Sequence, residues 1–233
     1  MPPEQDNAKL RWEDADVPVS TRFNDPYYSR ANGLAEARHV FLAGNCLGER
    51  FAATTNGFRI AELGFGTGLN VLAALDLWRS TQAGGTLEVT SFEKYPLDVA
   101  QARRALARWP EIEDIGNILL QQWHKPVIVL DNASIRIVTG DVADTLPRWS
   151  GLADAWFLDG FAPSRNPGMW TDQVLKNVGR STAPGGTFAT YTAAGFVRRG
   201  LQDAGFTVRK QPGFGSKREM LTGSKPESAS VQR

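Results

Sequence analysis

The sequence predicts an α/β fold: a doubly wound, mostly parallel sheet with helices on both faces, an antiparallel edge pair, and an N-terminal extension. Three observations predict it. Strand-like and helix-like segments alternate from about residue 58 onward, as they do in parallel sheets covered on both sides. A glycine-rich turn separates the first of these strands from its helix. Near the end, FTVRKQ and KREMLTG follow one another with no helix between them, as an antiparallel edge requires.

Each element has its own signal. RIAEL (59–63) reads as a strand, and LNVLAALDLW (69–78) carries apolar residues at helical spacing. TLEVTSFEK alternates as a strand, and a helix is predicted over 96–109, ended by Pro110. VIVLDNASIRIVTGD places two β-rich halves around Asp131 and Asn132, a hairpin signal. DAWFLD is the fourth main strand, and DQVLKNVGRST is a helix that stops before Pro184, Gly185 and Gly186. A fifth strand is expected over 186–191, then a helix, AGFVRRGLQDAG, closed by Gly205. The expected organisation is an extension over 1–57, a catalytic domain over 58–223 and a flexible tail over 224–233. The first two dozen residues and the tail are polar and aperiodic, hence expected to be loosely ordered.

Composition excludes several classes. With Cys46 the only cysteine, neither an intrachain disulfide nor a cysteine-based zinc site can form. His39 and His124 stand apart in sequence, so no metal centre is expected. No apolar run reaches the roughly 18 residues of a membrane span, and the N-terminus is too polar for a signal peptide. A cytoplasmic protein without a membrane partner is expected. The net charge of +1 neither requires nor forbids a nucleic-acid partner, which would need a local patch.

The chemistry concentrates where strands end. In ELGFGTGLN, Gly64, Gly66 and Gly68 let the backbone turn tightly against a ligand, with Phe65, Thr67 and Asn70 around the bend. The spacing is G-x-G-x-G. Leu69 stands where a nicotinamide fold wants its third glycine, and no phosphate-loop lysine follows. An acid ahead of the glycines, Glu62, suits S-adenosylmethionine, whose zwitterionic methionine part takes the place of a pyrophosphate. Glu93, beside Lys94 at the end of the next strand, is placed for a ribose diol. Asp141 is either an acceptor for an adenine amine or a helix N-cap, or both.

Asp159 ends the apolar run AWFL and opens a stiff loop, DGFAPSRNPGMW. A carboxylate there, with the turn's carbonyls, can orient an amine nucleophile and accept its proton, while Phe161 or Trp170 offers a stacking face. A plain turn beside a core tryptophan remains the alternative.

At these residues the sequence becomes specific. AELGFGTGLN, SFEKYPL, DAWFLDGFAPSRNPGMWT, PGGTFATYTAAGFVRRGLQDAGF and GFGSKREML together resemble the methyltransferase domain of the MnmC family, and the likeness runs from about Val19 to Gly223. The resemblance implies a Rossmann-like methyltransferase fold and methyl transfer from S-adenosylmethionine to 5-aminomethyl-2-thiouridine at tRNA wobble position 34. It implies Gly64, Gly66, Gly68, Glu93 and Asp141 around the cofactor, and Asp159, Phe161 and Pro163 at the transfer site. Many members carry a further FAD-dependent oxidoreductase domain acting on the same base, which this sequence lacks. For RNA contact the candidates are Arg198, Arg199, Lys217 and Arg218 in a basic stretch, with Tyr28, Arg38 and Trp170. Rival readings are methylation of another amine, a non-catalytic RNA-binding module, and a nicotinamide oxidoreductase.

Overall fold

The structure, a computed structural model, describes residues 7–81 and 84–227. Strands β1 (Leu10–Glu13), β2 (Val17–Ser20) and β3 (Asp25–Pro26) make a small antiparallel sheet. Helix α1 (Gly33–Ala37), a π-helical turn over Arg38–Ala43 and α2 (Leu47–Ala53) lead into the main sheet. Its elements are β4 (Phe58–Leu63), α3 (Leu69–Ser80), β5 (Leu87–Glu93), α4 (Val99–Leu106), α5 (Glu113–Gln121), β6 (Val127–Leu130) and β7 (Ala133–Thr139). They continue with α6 (Val142–Thr145), β8 (Ala153–Leu158), α7 (Asp172–Arg180), β9 (Thr182–Thr190), α8 (Gly195–Asp203), β10 (Thr207–Pro212) and β11 (Glu219–Ser224).

The eight strands lie in the order β10-β11-β9-β8-β4-β5-β7-β6. The inner five are parallel, and β6, β10 and β11 are antiparallel to their neighbours. The order reverses at β4, whose neighbours are β5 and β8. Such a reversal opens a crevice at the carboxyl ends of the strands.

Strand β8 shows why the sheet is double-faced. Ala155 and Phe157 belong to the core packed by α3 and α5, whereas Trp156 and Leu158 belong to the one packed by α7 and α8. Successive side chains point to opposite faces, so a strand covered on both sides needs an unbroken apolar run. The run ends at Asp159 because the chain leaves the sheet there, at the crevice.

Several boundaries differ from expectation for identifiable reasons. The helix expected from 96 begins at Val99, because Asp98 caps it, accepting from Gln101 N at 2.8 Å while Gln101 Oε1 accepts from Asp98 N. The fifth strand begins at Thr182 rather than 186. Thr182 is opposite Ala153 and Thr187 is opposite Ala155, so Pro184, Gly185 and Gly186 sit in a bulge where proline's missing N–H breaks no ladder. Residues 10–20 were expected to be loosely ordered, yet they form a hairpin whose Val17 and Val19 are buried. Hydrogen bonding also passes the 223 boundary, through Lys225 N to Gly186 O and Gly185 N to Pro226 O. The rest of the expected tail, 228–233, lies outside the described residues. Helix α5 was not expected at all, although Ile115, Leu119 and Leu120 bury one face of it.

Among the described residues no helix is long and apolar enough to cross a membrane.

Candidate functional site

The crevice at β4, β5 and β8 holds a cavity of about 850 Å³, within the size range of small-molecule sites. The glycine bend forms one wall and the 159–169 loop another, while residues 22–37 close it from the extension side. Docking of the extension is specific. Asp25 Oδ2 accepts from Ala162 N at 2.9 Å, and the Tyr28 hydroxyl is shared between the carbonyls of Asp16 and Ala105 at 3.1 Å each.

Two strand ends converge here. Gly64 has φ of +84° and Gly66 of +53°, left-handed values that cost other residues free energy. A Cβ on Gly64 would lie 3.4 Å from Gly160 Cα and 3.5 Å from the Asp159 carbonyl oxygen. The bend and the turn after β8 therefore touch backbone to backbone. Asn70, in the first turn of α3, ties them again: its Nδ2 donates to Asp159 Oδ2 at 2.7 Å and to Glu62 Oε1 at 3.1 Å. Glu62 is fully buried and also accepts from Ser91 Oγ at 2.7 Å. Burial drives its pKa well up, with the Asp159 and Glu93 charges adding to the rise. Glu62 does not line the cavity; it holds Asn70 from behind.

Asp159 faces the cavity, and its Oδ1 accepts from Gly160 N at 2.8 Å. Burial raises its pKa to about 6 against the pull of the Asn70 and Gly160 hydrogen bonds, with Glu36 raising it further and Lys217 lowering it. A carboxylate tuned to that value changes protonation near neutral pH, as a proton acceptor should.

The opposite end of the cavity suits a nucleoside. Glu93 accepts from Gly66 N at 2.9 Å and Tyr95 N at 2.7 Å. Burial raises its pKa against these bonds, and each oxygen keeps a further lone pair for a diol. Asp141 caps α6 through Ala143 N at 2.9 Å and pairs with Lys94 Nζ at 2.6 Å; both residues line the cavity. The backbone left bare at Gly64 and Gly66, beside a buried acceptor, fits the S-adenosylmethionine expected from the sequence.

The remaining wall is aromatic. Phe161 stacks on Phe23 with centroids 4.7 Å apart and meets the edge of Tyr27 at 5.0 Å. Tyr191, just past β9, donates its hydroxyl to Gly160 O at 2.6 Å. One face of Phe161 is therefore already covered by Phe23.

Not every residue singled out in the sequence reaches the cavity. Phe65, Thr67, Asn70, Glu93, Lys94, Asp141, Asp159 and Phe161 line it with Gly64 and Gly66; Glu62, Gly68 and Pro163 do not. Gly68 starts α3 against Leu119 and Phe65, and Pro163 is buried. Trp170 is no stacking platform: it is 1% exposed, and its Nε1 donates to Phe161 O at 3.1 Å, bracing the loop from inside. Tyr28 does line the cavity, though its ring is mostly packed, edge-on to Trp109 at 4.8 Å. Arg38 pairs with Asp76 at 3.2 Å and lies off the cavity, as do Arg198, Arg199 and Arg218. Lys217 lines it. Sequence reasoning missed Glu36 and Tyr191 as cavity residues. Tyr191 had a signal, since it ends a strand at the same sheet edge as Asp159; Glu36 had none.

A family model described as S-adenosyl-L-methionine-dependent methyltransferase matches residues 110–226. The curated tRNA 5-methylaminomethyl-2-thiouridine biosynthesis bifunctional protein MnmC of Caulobacter vibrioides is 48% identical over 227 residues, covering 94% of this chain. Its counterpart of the same name in Chromobacterium violaceum is 47% identical, covering 93%. The chain spans 38% and 34% of the length of these two relatives. Among solved structures, MnmC2 from Aquifex aeolicus superposes with a TM-score of 0.78 at 25% identity, covering 97% of this chain and 74% of that one.

Proposed function

Because the chain belongs to the S-adenosyl-L-methionine-dependent methyltransferase family, we propose that it methylates the aminomethyl nitrogen of 5-aminomethyl-2-thiouridine at the tRNA wobble position. The product would be the 5-methylaminomethyl form for which its relatives are named. The observation that supports this reading is the meeting of the glycine bend with the Asp159 turn at the wall of one cavity.

When bound, the donor supplies a methyl group on a positively charged sulfur, released as a neutral thioether as the new N–C bond forms. The chain's residues do the rest. Glu93 accepts from the ribose hydroxyls, and the bare glycine backbone lets the methionine part lie close. The alkylammonium of the substrate gives a proton to Asp159, freeing the nitrogen lone pair for in-line attack. Asn70 and Gly160 N–H hold the carboxylate in place through this transfer. In this reading residues 1–57 cover the substrate site, 58–223 carry the chemistry, and a partner activity supplies the aminomethyl uridine in the cytoplasm.

The pH dependence follows from the raised pKa of Asp159. The carboxylate is a base only when ionised, so kcat/KM is low below about 6 and rises as pH passes through that value. A profile flat across this range contradicts the assignment.

Affinity for tRNA is expected to draw on α8. Reversing Arg198 and Arg199 to Glu weakens binding and makes it less salt-dependent, because each lost phosphate contact removes about one unit of slope. Unchanged binding at every ionic strength removes this patch from the interface. The functional test is incubation with S-adenosylmethionine labelled in its methyl group and undermodified tRNA, followed by nucleoside analysis. Label in the wobble nucleoside alone supports the reading. Label in another amine, or none with donor bound, favours one of the rivals.

A further inference from the structure

Lys217 lies on the loop between β10 and β11 and lines the cavity, its ammonium turned onto Glu36 while its side chain stays partly in solvent. Its Nζ is 2.9 Å from Glu36 Oε1 and 3.8 Å from the centroid of the Tyr191 ring. The other Glu36 oxygen accepts from Ser29 N at 3.0 Å, which fixes the carboxylate. The Glu36 side chain is 11% exposed and that of Lys217 41%. Glu36, Tyr191, Lys217 and Asp159 all line the same cavity.

The end of a lysine side chain is a methylene bearing an ammonium. The reacting arm of a 5-aminomethyl pyrimidine is the same group, protonated at neutral pH as alkylamines are. A carboxylate and an aromatic face that hold one will hold the other. Resting on the functional reading above, we propose that Glu36 and the Tyr191 ring bind the substrate ammonium, and that Lys217 is the built-in cation it displaces. Lys217 can leave at small cost, because its side chain is already partly in water. Glu36 cannot be left without a cation so cheaply, since a buried carboxylate deprived of its partner is strongly destabilising. The exchange therefore admits a cationic amine and rejects a neutral pyrimidine, which would evict Lys217 without replacing its charge. Asp159 is within electrostatic reach of both groups and takes the proton once the amine is seated. Glu36 is thus a binding residue that sets specificity, distinct from the proton acceptor.

Steady-state kinetics with undermodified tRNA, together with donor titration by calorimetry, test this. Glu36→Gln keeps the acceptor for Ser29 N but loses the charge. It should raise KM for the tRNA about tenfold or more while kcat and donor affinity change little. Lys217→Met removes the competing cation and should lower KM severalfold. If the wild-type protein puts no label into tRNA, the functional reading fails. If wild-type transfer is intact, an unchanged KM in a Glu36→Gln protein that still binds donor overturns the inference alone. Lys217→Met decides independently of whether the first variant folds: a KM unchanged or raised, as loss of a phosphate contact would give, overturns it.

Discussion

Asp159→Asn lowers the rate of methyl transfer by about 10²- to 10⁴-fold, the usual worth of a positioned general base, while donor binding survives. The separation follows from the local bonds. Asn at 159 keeps one acceptor, for Gly160 N, and puts its amide nitrogen where an oxygen now accepts from Asn70 Nδ2, so the turn keeps its own bond and only the tie to Asn70 is lost. It cannot take a proton from an ammonium. The side chain sits beside the bend without being part of it, and Glu93, at the nucleoside end, is untouched. Single-turnover transfer of labelled methyl, with calorimetric titration of S-adenosylmethionine, measures both quantities on one preparation. A variant that loses donor affinity and rate together would mean that Asp159 acts by shaping the groove.

Gly64→Val should remove donor binding and transfer at once. Valine is disfavoured at φ of +84° because its branched Cβ meets the adjacent backbone, a strain of about 1–3 kcal/mol. Its side chain would also enter the space between the bend and the 159–160 turn. There the Cβ alone would be 3.5 Å from Met169 Cε and from the Asp159 carbonyl oxygen. The added methyl groups have to push the two strand ends apart or fill the groove. Gly64→Ala, which carries the φ penalty and only the Cβ, should keep measurable binding. Thermal denaturation with and without donor separates a lost site from a lost fold; a Gly64→Val protein that is still stabilised by S-adenosylmethionine contradicts the account.

Much of the fold was legible because its signals are local. The parallel strands announce themselves as apolar runs, most clearly AWFL, and α3 and α7 carry caps or breakers next to periodic stretches. What escaped depends on contacts made elsewhere. The β1–β2 hairpin is too short for its period to be read, and its Val17 and Val19 are ordered by burial against the main core. Helix α5 has a polar start and only a narrow apolar stripe.

The site divides the same way. The glycine bend, Glu93 and Asp159 were legible because such folds gather chemistry at strand ends. Trp170 was misread because an aromatic beside a site looks the same in sequence whether it faces ligand or core. Its Nε1 has a hydrogen-bonding partner on the inside. Glu62 sits in the right segment, yet burial makes it the support of Asn70 instead of a wall of the cavity. Glu36, Tyr191 and Lys217 come from α1, the end of β9 and the β10–β11 loop, and only the folded chain brings them together.

The account stands on one cavity serving donor and acceptor alike, and a crystal structure with S-adenosylhomocysteine tests that most directly. The prediction is a ribose on Glu93 and a thioether sulfur between Gly64 and Asp159, turned toward the Asp159 carboxylate. A nucleoside bound away from the glycine bend, or a sulfur turned away from Asp159, would contradict it.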